Sequence, residues 1–131
     1  MSYIKIFFLM MGLHQQEFII QPEAPKSIVD RFMESKELQE IVYRESRGDS
    51  TVISSASCMG KFQLHPMYFN QLNIDPFKYV VNGKFTMPVK EQETVCRHFI
   101  KEQIKFMERN RIPVTTHNIY MSWFGVGYFQ Y

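Results

Sequence analysis

The residues whose types and spacing suit chemistry lie between Glu45 and Pro66. Glu45 and Ser46 stand at the end of a stretch with helical periodicity, Ser54 follows in a run of small and β-branched residues, and Gly60, Phe62, Gln63 and Leu64 come next. A carboxyl on the last turn of an amphipathic helix is held by a rigid backbone, and a small-residue loop after it leaves room for a cleft. The helix C-terminus carries partial negative charge, which favours the neutral form of a carboxyl placed there. General-acid catalysis needs that neutral form. The competing reading is a solvated surface glutamate, which on composition alone is the commoner case. Asp49 offers a possible second carboxylate, with turn formation as its competing role. Asp75 is a weaker candidate of the same kind.

Other reactive side chains point to no further chemistry. Cys58 and Cys96 permit one disulfide without requiring it, and neither belongs to a Cys-x-x-Cys pair. No base is spaced to activate Cys58, so packing is its expected role. His14, His65, His98 and His117 form no His-Glu-x-x-His, and no ligand spacing indicates a metal. Neither a metal nor a cofactor is expected.

The elements that must position Glu45 can be read from periodicity and breakers. Ser27 stands as an N-cap with Asp30 at capping-box spacing, and Ile28, Val29, Phe32 and Met33 follow at helical intervals. Leu38, Ile41 and Val42 resume the pattern, which predicts one long or broken helix from Ser27 to Ser46. Gly48 suits the left-handed position past its end. Thr51 to Met59 reads as loop or short strand, Met67 to Leu72 as a short helix, and Asn73 to Thr86 as loop and turn. The strongest helix opens at Pro88, expected in its first turn. Val89, Val95, Cys96, Phe99, Ile100, Ile104 and Met107 form its apolar stripe. Thr115 or Thr116 caps a last helix running through Ile119, Tyr120 and Trp123 to Gly125.

With 131 residues the chain is long enough for one domain with a real core. Its 45% hydrophobic and 21% charged residues exclude a disordered composition. Twelve Phe, seven Tyr and nine Met can fill an irregular core and still line a groove. A net charge of +2 is too balanced to indicate nucleic acid. The run Ile4 to Leu13 is too short for a membrane span, which takes ~20 apolar residues. Lys5 interrupts it and no small-residue cleavage site follows, so a cleaved leader is not expected. The expected division is an apolar N-terminal segment or strand at 1–21, packed on the body or on a protein partner, and a domain at 22–131.

The block Glu45-Ser46, Ser54, Gly60-Lys61-Phe62-Gln63 and Leu64-His65-Pro66 resembles, without gap or insertion, the motif of the soluble lytic transglycosylase and goose-type lysozyme family. Pro88 to Glu93 is similar to a segment of bacteriophage relatives. Gly125-Val126-Gly127 is similar to the family's Gly-Pro-Gly turn, although it lacks the proline and Ser122-Trp123 replaces the usual Tyr-Asn. The resemblance covers Ser27 to Tyr128 and implies a mainly α, lysozyme-like single domain with a loop or short-strand region after the catalytic helix. It implies cleavage of the β-1,4 bond between MurNAc and GlcNAc in peptidoglycan, with Glu45 as the single catalytic acid. Ser46 would order the helix end, Gln63 would line the groove, Ser54 and Phe62 would shape it, and Gly60 would allow close backbone approach to a sugar. For Gly60 a plain turn, and for Phe62 core packing, are the competing readings. Trp123 could stack on a sugar or fill the core. The implied site of action is the bacterial wall, reached from outside the cytoplasm or from a virion. The alternative is a virion protein that keeps the fold for a structural or wall-binding role, motivated by the apolar N-terminal run and an early C-terminal stop.

Overall fold

Serines set the entry to the first two helices. In the computed structural model, which describes the backbone of residues 4–10 and 14–20 and the chain over 25–131 (Val126 by backbone alone), α1 spans Ile28–Met33 and α2 spans Lys36–Ser46. Ser27 Oγ accepts from the Asp30 N–H at 3.1 Å, as the cap spacing predicts. The predicted stretch is broken, and Ser35 is the reason. Its backbone is extended, and its Oγ donates to the Phe32 carbonyl while accepting from the Leu38 N–H. One side chain closes α1 and opens α2. Arg47 and then Gly48 adopt φ of 56° and 80°, so two consecutive left-handed residues stop α2 just past Glu45 and Ser46.

The chain is mainly helical, and a long helix organises its core. Helix α4 covers Val89–Arg109, with Pro88 at the N-cap rather than inside the first turn. Val95, Cys96, Phe99, Ile100 and Met107 are buried along it, whereas Val89, expected in the same stripe, is 38% exposed. Phe32 from α1 and Ile41 from α2 join this core, as do Phe69 from α3 (Pro66–Asn70) and Ile119 from α5 (Thr116–Met121). Thr115 caps α5 through the Asn118 N–H, and the helix ends before Trp123.

Between α2 and α4 the backbone makes a small β region, the short-strand alternative for Thr51 to Met59, and adds a hairpin within the stretch Asn73 to Thr86 expected as loop and turn. Met59 bridges to both Ile53 and Leu64 in antiparallel fashion. Strands β3 (Val80–Val81) and β4 (Lys84–Phe85) form a hairpin turned at Asn82-Gly83, where φ of 50° and 75° suits these two residues. The Phe85 N–H donates to the Thr51 carbonyl, which joins that hairpin to the stretch leaving α2.

At the N-terminus, β1 (Ile4–Met10) and β2 (His14–Ile20) pair antiparallel from Ile4 opposite Ile20 to Met10 opposite His14. The expected apolar strand is therefore present, and periodicity had not indicated its partner. What its side chains touch, and the boundary expected at 21–22, lie outside the described residues. Among those residues no helix is long and apolar enough to cross a membrane.

A buried asparagine fixes the other end. Asn118 is 1% exposed; its Nδ2 donates to the Pro113 and Gln130 carbonyls, and its Oδ1 accepts from the Gln130 N–H, each at 2.8 Å. Asn118→Leu removes three hydrogen bonds, each worth about 0.5–1.5 kcal/mol net. It should lower stability by at least about 2 kcal/mol in denaturant titration, with loss of exchange protection at the Gln130 amide. Unchanged protection there would refute the anchoring role.

Candidate active site

Glu45 occupies the last turn of α2, on the side that carries Ile41 one turn earlier and Leu38 two turns earlier, both in the core. It is half-buried where that packed face runs out. Among the described residues it makes no hydrogen bond and no ion pair. A carboxyl at a core edge without a bound cation has its oxygens available to an incoming ligand.

Its neighbour has the opposite fate. Ser46 is 5% exposed, and its Oγ lies 2.7 Å from the Lys61 carbonyl and 3.1 Å from that of Val42. A hydroxyl has one proton, and the shorter contact assigns it to Lys61. The end of α2 is thereby tied to the Gly60–Gln63 turn. Ser46 orders the helix end from inside and has little surface for a substrate.

That turn is held from below by a residue that sequence reading passed over. Gln92 on α4 is 2% exposed; its Oε1 accepts from the Lys61 N–H at 2.8 Å, and its Nε2 donates to the Met87 and Ser50 carbonyls at 2.8 and 3.1 Å. Both its polar atoms bond the loop that follows α2, at Lys61 and Ser50, and Nε2 also bonds the residue before the α4 cap. A Cβ on Gly60 would lie 2.3 Å from Gln92 Oε1, and Gly60 has φ of +81°. Gly60 is thus a left-handed turn glycine, and the group that closely approaches its backbone is the Gln92 side chain. The available signal was that Gln92 is a polar residue in register with the buried Val95, Cys96 and Phe99.

Gln63 is half-buried with φ of 50°, a costly backbone for a side chain with a Cβ. Its Nε2 donates to the Val52 and Gly60 carbonyls at 3.0 and 2.9 Å, which hold that conformation. Among the described residues no donor reaches its Oε1. Ser54 Oγ accepts from the Cys58 N–H at 3.1 Å and closes the turn before Met59. Phe62 is 3% exposed, in line with the packing alternative. Trp123 donates from Nε1 to the Phe62 carbonyl at 3.3 Å, lies near-parallel to Phe32 at 5.8 Å and meets Phe99 edge-on at 4.5 Å. The single indole joins the C-terminal segment to the motif loop and the core.

Asp49 accepts from both the backbone N–H and the hydroxyl of Thr51, at 2.9 and 2.7 Å. The Thr51 hydroxyl, then its N–H, holds the carboxyl below its ordinary pKa. It is an ionised turn residue. Asp75 caps the turn at Phe77 in the same manner. Both cysteines are free, and burial pushes the Cys96 thiol up, away from nucleophile chemistry.

Two depressions lie beside α2. One, of about 420 Å³, includes Val42, Arg47, Lys61 and Phe62; the other, of about 300 Å³, includes Arg44, Tyr120, Phe124 and Tyr128. Arg44 and Arg47 bracket Glu45 in the chain, but Glu45 lines neither depression. The structure therefore joins Ser46, Gly60, Phe62, Gln63 and Trp123 into one bonded unit, with Ser54 closing the adjoining 54–58 turn and Glu45 next to Ser46 at the unit's edge. No family model, no curated protein and no solved structure matches the chain.

Two expectations follow. Gly60→Ala should cost at least about 2 kcal/mol of stability, as an added Cβ meets Gln92 in a left-handed backbone. Combining it with Gln92→Ala should give a loss smaller than the sum; strict additivity would refute the contact. The Asp49 pKa is depressed on folding, so its contribution is present above the unfolded carboxylate pKa and disappears as pH falls through the folded one. Denaturation midpoints of wild type and Asp49→Ala should differ at pH 7 and converge in acid.

Proposed function

We propose that the chain is a peptidoglycan lytic transglycosylase or muramidase of lysozyme-like type, with Glu45 as its single catalytic acid. The observation that carries this reading is the ungapped block from Glu45-Ser46 through Ser54 to Gly60-x-x-Gln63. Its support from geometry is that Ser46 and the Gly60–Gln63 turn form one tertiary unit: Ser46 to Lys61, Gln63 to Val52 and Gln92 to Lys61. The half-buried Glu45, without a partner among the described residues, at the edge of that unit suits a proton donor.

In this mechanism the Glu45 carboxyl gives its proton to the glycosidic oxygen as the C1–O bond of MurNAc breaks. The oxygen of the substrate's own N-acetyl group bonds to C1 and takes up the developing charge. The Glu45 carboxylate then accepts the proton of the C6 hydroxyl, whose oxygen bonds to C1 and displaces the N-acetyl oxygen. The product is a 1,6-anhydro sugar, and Glu45 ends protonated. If water replaces the C6 hydroxyl, the product is a reducing end. Such substrate assistance needs one carboxyl where ordinary glycosidases need two, consistent with the tied state of Asp49. The substrate is the wall glycan, met outside the cytoplasm or from a virion.

One observation favours a second reading, a virion component that binds or braces without turnover. Phe62 and Trp123 are engaged within the protein, and Glu45 lines neither depression. Digestion of purified wall decides between the two. Glu45→Gln should keep the fold and lower muropeptide release by at least about a hundredfold, the usual scale of a lost general acid. Release by the variant equal to wild type would remove Glu45 from the mechanism, and no release by either protein would favour the binding role.

A further inference from the structure

The larger depression carries charges that the proposed reaction does not use. Its apolar part includes Leu38, Val42 and Phe62, and its charged part is Arg47, Lys61 and Glu93, within a volume of about 420 Å³. Among the described residues none of these three makes an ion pair, although both signs line one cavity. The cations rest on ring faces instead: Arg47 lies 5.1 Å from the Tyr43 ring centroid and Lys61 5.7 Å from that of Phe62. Such contacts restrain the side chains and leave their charge unneutralised.

We infer that this depression is a binding site for a short peptide bearing both a carboxylate and an ammonium group. A ligand with both signs can make the ion pairs that Lys61, Arg47 and Glu93 leave unmade. A simple anion meets Glu93 as a repulsive neighbour, and a neutral sugar chain uses none of the charges. Small aliphatic side chains suit the apolar lining, and the volume is in the usual range for small ligands, about 300–1,000 Å³. Identifying the ligand as the peptide branch of the bacterial wall rests on the function proposed above; the amphoteric chemistry does not. Arg47 follows Ser46 directly, and the Lys61 carbonyl accepts the Ser46 hydroxyl. The site therefore adjoins the junction that holds the end of α2.

Binding of the tetrapeptide Ala-Glu-Lys-Ala to the Glu45→Gln protein, followed by calorimetry and amide chemical shifts, tests this, with chitotetraose as the neutral comparison. The peptide should bind saturably with shifts at Arg47, Lys61 and Glu93. Amidating its carboxylates should weaken binding about tenfold, and acetylating its amines should do the same. Lys61→Met combined with Arg47→Met should abolish the sensitivity to amidation alone, and Glu93→Gln the sensitivity to acetylation alone. A merely structural effect would not separate the two. Absence of saturable binding, or equal sensitivities in all three proteins, overturns the site. Wall digestion by Glu45→Gln reports on catalysis separately: retained turnover with the expected peptide binding refutes the catalytic role and leaves this site standing.

Discussion

The hydrogen bond from the Lys61 N–H to Gln92 Oε1, with Gly60 pressed beside it, is the constraint on which the rest of the candidate site depends. The loop leaving α2 has little regular structure to hold it, since its β region amounts to bridges at Met59. A buried glutamine on the central helix supplies what a wider sheet would have supplied. It takes a carbonyl at the start of the loop, Ser50, and an N–H near its end, Lys61. The Lys61 carbonyl then receives the Ser46 hydroxyl. Helix α4, the loop and the end of α2 are linked in series, and Glu45 rides on the last member.

This arrangement explains why the residue types of the motif block are restrictive for reasons that precede catalysis. Ser46 must be small to be buried and hydroxylic to reach Lys61. Gly60 must lack a Cβ because Gln92 fills the space where it would go. Gln63 needs an amide to hold its own left-handed backbone. Only Glu45 has no such internal task among the described residues. A side chain that the fold does not use, set at the edge of a unit the fold constrains heavily, is the pattern expected of a group kept for function.

Much of the fold was legible in the chain. Ser27, Gly48, Thr115 and the stripe from Val95 to Met107 predicted helix limits and the buried face of α4, because caps and periodicity act locally. The division of the first helical stretch at Ser35 was less legible: a serine after Met33-Glu34 also suits a solvated helix face, and only its two backbone bonds show it as a break. Partner strand β2 and the bridges at Met59 depend on pairing between distant or irregular segments, which periodicity does not encode. At the candidate site the positions were visible but several tasks were not. Trp123 suits a sugar-stacking or a core position equally well in sequence, and only its packing on Phe32 of α1 and Phe99 of α4 decides between them; the buried Phe62 follows its packing reading. Gln92 carried a signal only as a polar side chain on an apolar stripe.

The two arginines that bracket Glu45 divide its surroundings. Arg44 lies over Phe124 and reaches the Tyr120 hydroxyl, whereas Arg47 lies over Tyr43. Neither is an ion-pair partner of the carboxyl among the described residues. Arg47 lines one depression and Arg44 the other, so a glycan cut at Glu45 must reach a carboxyl whose two chain neighbours face different depressions. A crystal structure of Glu45→Gln with a bound wall glycan fragment measures this most directly. The account predicts a glycosidic oxygen within hydrogen-bond reach of the residue 45 side chain, about 3 Å. A glycan seated with every glycosidic oxygen remote from that side chain would contradict it.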